Sequence, residues 1–396
     1  MELRFADRVK NLKGNAIREI FKLLENPEVI SFAGGNPDPA TLECERVKKF
    51  AAKALSAPDG WRLLQYGSTE GYLPLRKAMC KYVERCGIFG MQLENNLIVS
   101  GGQQAIDLTL KAFINKGDTV LVEDPTYLAV LHICKTYEAN VAGVKSEDDG
   151  FDLFDLEAKM KALRPKVFYA VPNFSNPTGK TLSAAKRKAI AELAAKYDVI
   201  VLEDDPYREL RYSGEPQPAI KSFDKTGHVL YATSFSKTIA PALRVGAVFG
   251  APEIIRKLVI GKQAVDVHTA SLTQAVVLEY LQNGVLEKHI AECVPLYREK
   301  RDAMVEAIRE CFPADFRFVV PEGGLFLFGT FESGLSAKAL FSRAVEEYKV
   351  AYVCGNDFFA DGRGDNCVRL NFSNATLENI RIGVERLAEL FGKEGK

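Results

Sequence analysis

Residues 229–250 read VLYATSFSKTIAPALRVGAVFG. Two short apolar runs, VLYA (229–232) and VGAVF (245–249), flank a hydroxyl-rich stretch that carries Lys237 and Arg244. Continuous apolar runs of this length are expected of strands buried on both faces of a sheet. Most lysines are solvated surface charges. Lys237 differs through its neighbours, because it follows a buried strand and sits among Ser234, Ser236 and Arg244. In open α/β sheets, ligands gather beyond the carboxyl ends of strands. A positive neighbour and partial desolvation both lower a lysine pKa, making the amine a better nucleophile toward a carbonyl, as Schiff-base chemistry requires.

Further runs of the same kind lie upstream: LIVS (97–100), TVLVE (119–123), VFYAV (167–171) and VIVLE (199–203). Helical stretches separate them. In one, Ile190, Leu193, Ala194 and Tyr197 recur at helical spacing, with Ser183 in place as an N-cap. The alternation predicts an α/β fold, a mostly parallel central sheet with helices on both faces. After about 285 the pattern changes to a long helical stretch ending near Cys311, which Pro295 should kink or break. Short strands follow at FRFVV (316–320), GLFLFG (324–329), VAYV (350–353) and VRLNF (368–372), the pattern of a smaller α+β domain. The expected division is an N-terminal arm with part of the small domain (1–45), a large domain (46–285) and a C-terminal small domain (286–396).

The chain has 396 residues, 47% hydrophobic and 26% charged, which suits a large globular core. Lys+Arg and Asp+Glu balance at 52 each, so no basic field points to nucleic acid. The polar start, MELRFADRVKNLKG, has no signal-peptide core, and no apolar window is long enough to span a membrane. Eight cysteines and four histidines are scattered without a CxxC pair or a metal-ligand spacing. These features predict a cytoplasmic protein with free thiols and no metal.

Five more stretches fall at the ends of predicted strands. Ser100-Gly101-Gly102-Gln103-Gln104 follows LIVS and opens a helix; it is either a plain tight turn or an anion cup built from free backbone N–H groups. In Asp124-Pro125-Thr126-Tyr127, Tyr127 is either a half-buried tyrosine or a platform for a planar ring. Asn176, in the turn NFSNPTG (173–179), offers an amide donor to a phenolate oxygen. Glu203-Asp204-Asp205-Pro206-Tyr207 ends a buried strand with three acids, an odd place for charge because unpaired burial is costly. A carboxylate there suits a pyridinium proton, and Tyr207 a neighbouring ring oxygen; the alternative is an acidic loop in solvent. Arg369, in VRLNFS, is either a structural ion pair or a planar clamp for a carboxylate.

In this order the motifs resemble the fold-type-I pyridoxal-phosphate aminotransferases of class I/II, over nearly the whole chain. NAIREIFKLL (15–24), ISFAGGNP (30–37), LQYGSTEGYLPLR (64–76) and VHTASLTQ (267–274) look closest to the kynurenine/2-aminoadipate group and its lysine-synthesis relatives. The resemblance implies that Lys237 holds pyridoxal phosphate covalently and, when freed, moves the proton between the substrate Cα and the cofactor. It implies that Asp204 pairs with the pyridine nitrogen. Asn176 and Tyr207 would bind the ring hydroxyl and Tyr127 would stack on the ring. Gly102, Gln103, Ser234, Ser236 and Arg244 would hold the phosphate. Tyr66 would reach the neighbouring subunit's site, making a homodimer. Arg369 would clamp the substrate carboxylate, with Asn176 and Gly35 beside it. Amino acid and 2-oxo acid, with 2-oxoglutarate the expected acceptor, would take turns in one site.

The chain departs from this pattern in places. It has SGGQQ where close relatives often carry SGSQQ, so Gly102 removes a hydroxyl from the cup. Ala40-Thr41-Leu42 departs from the usual aromatic-proline ending of a loop near the substrate. Arg18 matches an arginine that contacts the substrate side chain in aminoadipate-type relatives, and is equally compatible with a surface helix charge. No arginine lies between Arg256 and Arg298, which argues against aspartate as donor. The rival readings are a β-lyase on the same fold and, more remotely, a regulator's effector-binding domain, for which too few residues precede SFAGG. A decarboxylase of this fold usually has histidine where Ser236 stands.

Overall fold

The structure is a computed structural model that describes residues 4–10, 12 and 28–394. Its strands are Ile30–Ser31 (β1), Asn96–Val99 (β2), Thr119–Asp124 (β3), Asn140–Glu147 (β4), Gly150–Phe151 (β5), Val167–Ala170 (β6), Ile200–Asp204 (β7), Val229–Ser234 (β8) and Gly246–Phe249 (β9). Those of the C-terminal part are Phe316–Phe318 (β10), Phe326–Phe331 (β11), Val350–Ala351 (β12), Val353–Cys354 (β13) and Cys367–Asn371 (β14). An eight-stranded sheet runs in the order β2-β9-β8-β7-β6-β3-β4-β5, and a four-stranded sheet in the order β10-β11-β14-β13.

The large sheet is parallel from β8 through β7, β6 and β3 to β4. β2, β6 and β9 are buried along their whole length, and Val120, Leu121 and Val122 of β3 are fully buried. Each such side chain contributes about 1.5–3 kcal/mol relative to exposure. Helix Gly102–Phe113 packs Ala105, Leu108 and Thr109 inward, an i, i+3, i+4 stripe.

Three sequence expectations need correction. The run at 245–249 is not another parallel strand, because β9 is antiparallel to both β8 and β2. The sense matters for the site: it places the start of β9, just after Arg244, at the edge where the parallel strands end. Pro295 does not break its helix, which runs unbroken from Val285 to Cys311. Proline removes one backbone bond, while Leu286, Cys293, Tyr297, Met304 and Ile308 keep the helix seated through burial. Ser183 occupies the N-cap position of helix Ala184–Tyr197, but its side chain makes no capping bond there. Its backbone N–H donates to the Asp149 carbonyl at 3.1 Å.

β4 was not visible in the sequence. It lies toward the sheet edge and most of its residues are only half-buried or exposed, so NVAGVKSE lacks a continuous apolar run. β1 pairs in parallel with β12, tying the chain near residue 30 to the region near 350. All eight cysteines are free. Among the described residues, no helix is long and apolar enough to cross a membrane.

Candidate active site

The parallel strands end along one edge of the sheet, and the loops leaving that edge close around a pocket. Gly102, Gln103, Tyr127, Asn176, Asp204, Tyr207, Ser234, Ser236, Lys237 and Arg244 all line it. So do Tyr169, Val171 and Pro206, which the sequence reading did not select. Tyr169 and Val171 are two apart, so they share a face at the end of β6. The apolar pattern of VFYAV marked them only as strand residues.

The three acids at 203–205 are all buried, which excludes an acidic loop in solvent. Two are fully engaged elsewhere. Glu203 accepts the backbone N–H groups of Ile220 and Lys221, both at 2.8 Å. Burial, then the neighbouring Asp205, pushes its carboxyl up to about 7. Asp205 accepts from Asn173 at 2.7 Å and Tyr231 at 3.2 Å and pairs with Arg208 at 3.4 Å. Asp204 alone faces the pocket. Its Oδ2 accepts the Tyr169 hydroxyl at 2.8 Å, while its buried Oδ1 has no partner. Burial pushes this carboxyl up to about 6, opposed by the Tyr169 hydrogen bond. A buried carboxylate oxygen without a partner is costly, and marks a place for a donor from a bound group.

Lys237 Nζ donates to the Gly35 carbonyl at 2.8 Å. Burial, and then the charges of Arg369 and Arg244, push its amine down to about 8. Across the pocket, Ser234 and Ser236 hydroxyls are 3.0 Å apart, and Arg244 Nη1 donates to Ser236 Oγ at 3.3 Å. Arg244 Nη2 donates to the Ser100 carbonyl at 3.0 Å. Gly101 between them has φ +82°, and a Cβ there would meet Arg244 Nη2 at 2.4 Å, so only glycine fits. Gly102 opens helix Gly102–Phe113, whose N-terminal N–H groups lack intrahelical partners. A Cβ on Gly102 would lie 3.4 Å from Asp204 Oδ1, so a small side chain is accommodated. Two hydroxyls, a guanidinium and a helix N-terminus suit a phosphate.

Arg369 on β14 is 1% exposed. Its Nη1 donates to Asn176 Oδ1 at 3.1 Å, its Nη2 to the Ala33 carbonyl, and its buried Nε has no partner. The guanidinium lies between the rings of Phe326 and Phe358, 4.4 and 5.2 Å from their centroids. No carboxylate pairs with it among the described residues, so the structural ion pair considered above is not formed. Phe326 also meets the Tyr207 ring edge-on at 5.9 Å. The nearby loop is firmly held: Ser373 Oγ donates to the Asn36 carbonyl at 2.7 Å, Asp38 N–H to the Tyr297 hydroxyl at 3.0 Å, and Asp38 pairs with Lys300.

Tyr66 is 82% exposed, outside the pocket, with its ring 6.1 Å from that of His268. Arg18 falls outside the described residues. One cluster escaped the sequence reading: the ligating atoms of Glu43, His289 and Glu292 approach within 4.8 Å of one another. The sequence distance from 43 to 289 hid it. Glu43 is already engaged by Arg46 at 3.0 Å and His289 at 3.1 Å.

Residues 27–387 match the family model for aminotransferase class I and II. The chain is 40% identical over 400 residues to aromatic-amino-acid aminotransferase 1 of Thermococcus litoralis, covering 100% of this chain and 95% of that protein. It is 37% identical to the 2-aminoadipate transaminase of Thermus thermophilus, covering 97% and 95%. The fold superposes on the crystal structure of Pyrococcus horikoshii kynurenine aminotransferase in complex with PMP, KYN as substrates and KYA as products. There the TM-score is 0.94 at 41% identity, over 99% of this chain and 98% of that one.

Proposed function

The chain belongs to the class I and II aminotransferases and works with pyridoxal phosphate, and on that premise we propose that it moves the amino group of 2-aminoadipate, aromatic and related L-amino acids to 2-oxoglutarate in the pocket around Lys237. The observation that carries this assignment of the site is that one pocket holds both the half-buried Lys237, whose amine is held below the ordinary lysine value, and an unpartnered buried carboxylate oxygen at Asp204. Aromatic and 2-aminoadipate donors are proposed because relatives carrying those names match nearly the whole chain.

Bound pyridoxal phosphate supplies an aldehyde that takes up an amine and a ring that spreads negative charge from the substrate Cα. The chain's residues do the rest. Ser234, Ser236, Arg244 and the N–H groups of Gly102 and Gln103 would bind the phosphate. Asp204 Oδ1 would accept the pyridine N–H and hold that proton. Asn176 and Tyr207 would bind the ring hydroxyl, and Tyr127 would stack on the ring. Arg369, stacked between two phenyl rings, orients the substrate carboxylate. Lys237 Nζ would then carry the proton at the substrate Cα. Donor and acceptor use the same groups in turn, so initial-rate plots at several acceptor concentrations should be parallel, as for a ping-pong enzyme.

Arg369→Ala removes charge-assisted bonds of roughly 1.5–3 kcal/mol each, so kcat/KM for the amino acid should fall about 100-fold or more. Unchanged donor kinetics would remove Arg369 from the site. Gly102→Ser restores a hydroxyl to the cup, and a hydrogen bond near 1 kcal/mol predicts about fivefold tighter cofactor binding by equilibrium dialysis. An amine is a nucleophile only above its pKa. Capture of pyridoxal phosphate by the cofactor-stripped protein should therefore rise with pH and level off above about 8, rather than near the ordinary lysine value of 10.5. Stopped-flow absorbance across pH measures this directly.

We also propose a homodimer. Trp61, Leu64 and Tyr66 are 62%, 73% and 82% exposed, and Val265 and Val267 in the neighbouring segment are 51% and 46% exposed. His268 joins the two stretches by accepting the Gly67 N–H at 3.2 Å. Exposed apolar side chains gathered this way suit an interface. The domain division at 45/46 and 285/286 and a cytoplasmic setting belong to the same proposal.

A further inference from the structure

Behind the phosphate cup lies a polar cluster that the mechanism above does not use. Lys262, near the end of helix Pro252–Gln263, has a fully buried side chain. Its ammonium donates to Gln104 Oε1 at 2.7 Å, to both oxygens of Asp266 at 2.8 Å and to Thr269 Oγ1 at 3.1 Å. Gln104 Nε2 donates to Asp266 Oδ2 at 2.9 Å, which closes the ring of contacts. A buried charge must be paired and hydrogen-bonded to persist, and this one is satisfied on all sides.

The cluster converges on one residue, Ser100. Its N–H donates to Gln104 Oε1 at 2.8 Å. Its hydroxyl reaches Asp266 Oδ2 at 2.8 Å and Thr269 Oγ1 at 3.0 Å. Its carbonyl takes Arg244 Nη2 at 3.0 Å. Every polar atom of Ser100 is thus engaged, and Gly101 and Gly102 of the cup follow it directly. The same cluster brackets Val267, a β-branched residue at φ +63°, a conformation that persists only where its surroundings impose it.

We infer that Lys262, with Asp266 and Gln104, is a positioning clamp that fixes the Ser100–Gly102 turn and Arg244 in the geometry that binds the cofactor phosphate. The inference rests on the pocket being the cofactor site. None of the three lines the pocket; they act through Ser100, so removing Lys262 should loosen the phosphate grip and leave the ring contacts intact.

The test compares two aldehydes on cofactor-stripped protein. Pyridoxal phosphate engages the cup, whereas pyridoxal, which has no phosphate, engages only Lys237 and the ring contacts. In Lys262→Met, affinity for pyridoxal phosphate should fall on the order of 10- to 100-fold, by analogy with the loss when the outer partners of metal ligands are removed. Affinity for pyridoxal should stay at the wild-type value. Equal losses for both aldehydes would show a general structural role and overturn the proposal, as would no loss for either. Should Lys262→Met not fold, Ser100→Ala makes the same comparison, because it leaves the Lys262–Asp266 pair standing and removes only the hydroxyl link. A wild-type protein that binds pyridoxal phosphate no better than pyridoxal would sink the cup assignment itself, and the clamp with it. Parallel losses in the variants would sink the clamp alone.

Discussion

Replacing Lys237 with alanine is expected to leave a folded protein that no longer transfers an amino group. Two roles vanish together. In the proposed site the variant would lose both the amine that anchors the cofactor aldehyde and the base at the substrate Cα. A positioned proton-transfer group alone is worth roughly 10²–10⁴-fold, so turnover should fall by at least the upper end of that range. The fold should survive. Lys237 makes one hydrogen bond, to the Gly35 carbonyl, and its charge is disfavoured by burial and by Arg369 and Arg244. Removing a group held at that electrostatic disadvantage costs little stability. Turnover assays and circular dichroism on Lys237→Ala check both halves, and residual transamination near the wild-type rate would refute the assignment.

The second large effect is expected at Asp204. Its Oδ1 is a buried, unpartnered acceptor, and in the proposed site its partner would be the pyridine N–H. Asparagine keeps the shape but removes the negative charge that holds that proton. Removing one preorganised polar group from charge stabilisation typically costs on the order of 10²–10³ in kcat, and Asp204→Asn should fall in that range. Only the carboxylate form serves, and burial holds this carboxyl up at about 6. The wild-type protein should therefore lose cofactor affinity as pH falls toward 6, while Asp204→Asn shows no such titration. A variant with normal kcat, or with an unchanged pH profile of cofactor binding, would place the pyridine nitrogen elsewhere.

The contrast among Glu203, Asp204 and Asp205 shows how far the sequence could be read. That three acids end a buried strand was legible, because charge at the end of VIVL is expensive. Which one is functional was not, since that depends on partners distant in sequence: Ile220 and Lys221 for Glu203, and Asn173, Tyr231 and Arg208 for Asp205. The pocket as a whole was legible because its residues follow apolar runs, and strand ends share one edge of a parallel sheet. Arg244 fits that rule for a reason the sequence did not show, namely that β9 runs backwards. Strands near the sheet edge, such as β4, carry too little apolar pattern to stand out. The Lys262 clamp escaped because Lys262, Gln104 and Asp266 look like ordinary charged and polar helix residues. Only the burial of Lys262 and the hydrogen bonds it makes to Gln104 and Asp266 distinguish them, and both come from the assembled fold.

One measurement tests the central claim most directly: an absorbance titration of the purified, cofactor-loaded protein with single amino acids and no oxo acid. 2-Aminoadipate or an aromatic amino acid should bleach the visible band, converting the cofactor to its amino form with one equivalent of 2-oxo acid released. The extent of bleaching would rank the donors. A band that persists while a β-substituted amino acid yields pyruvate and ammonia would contradict amino-group transfer in this pocket.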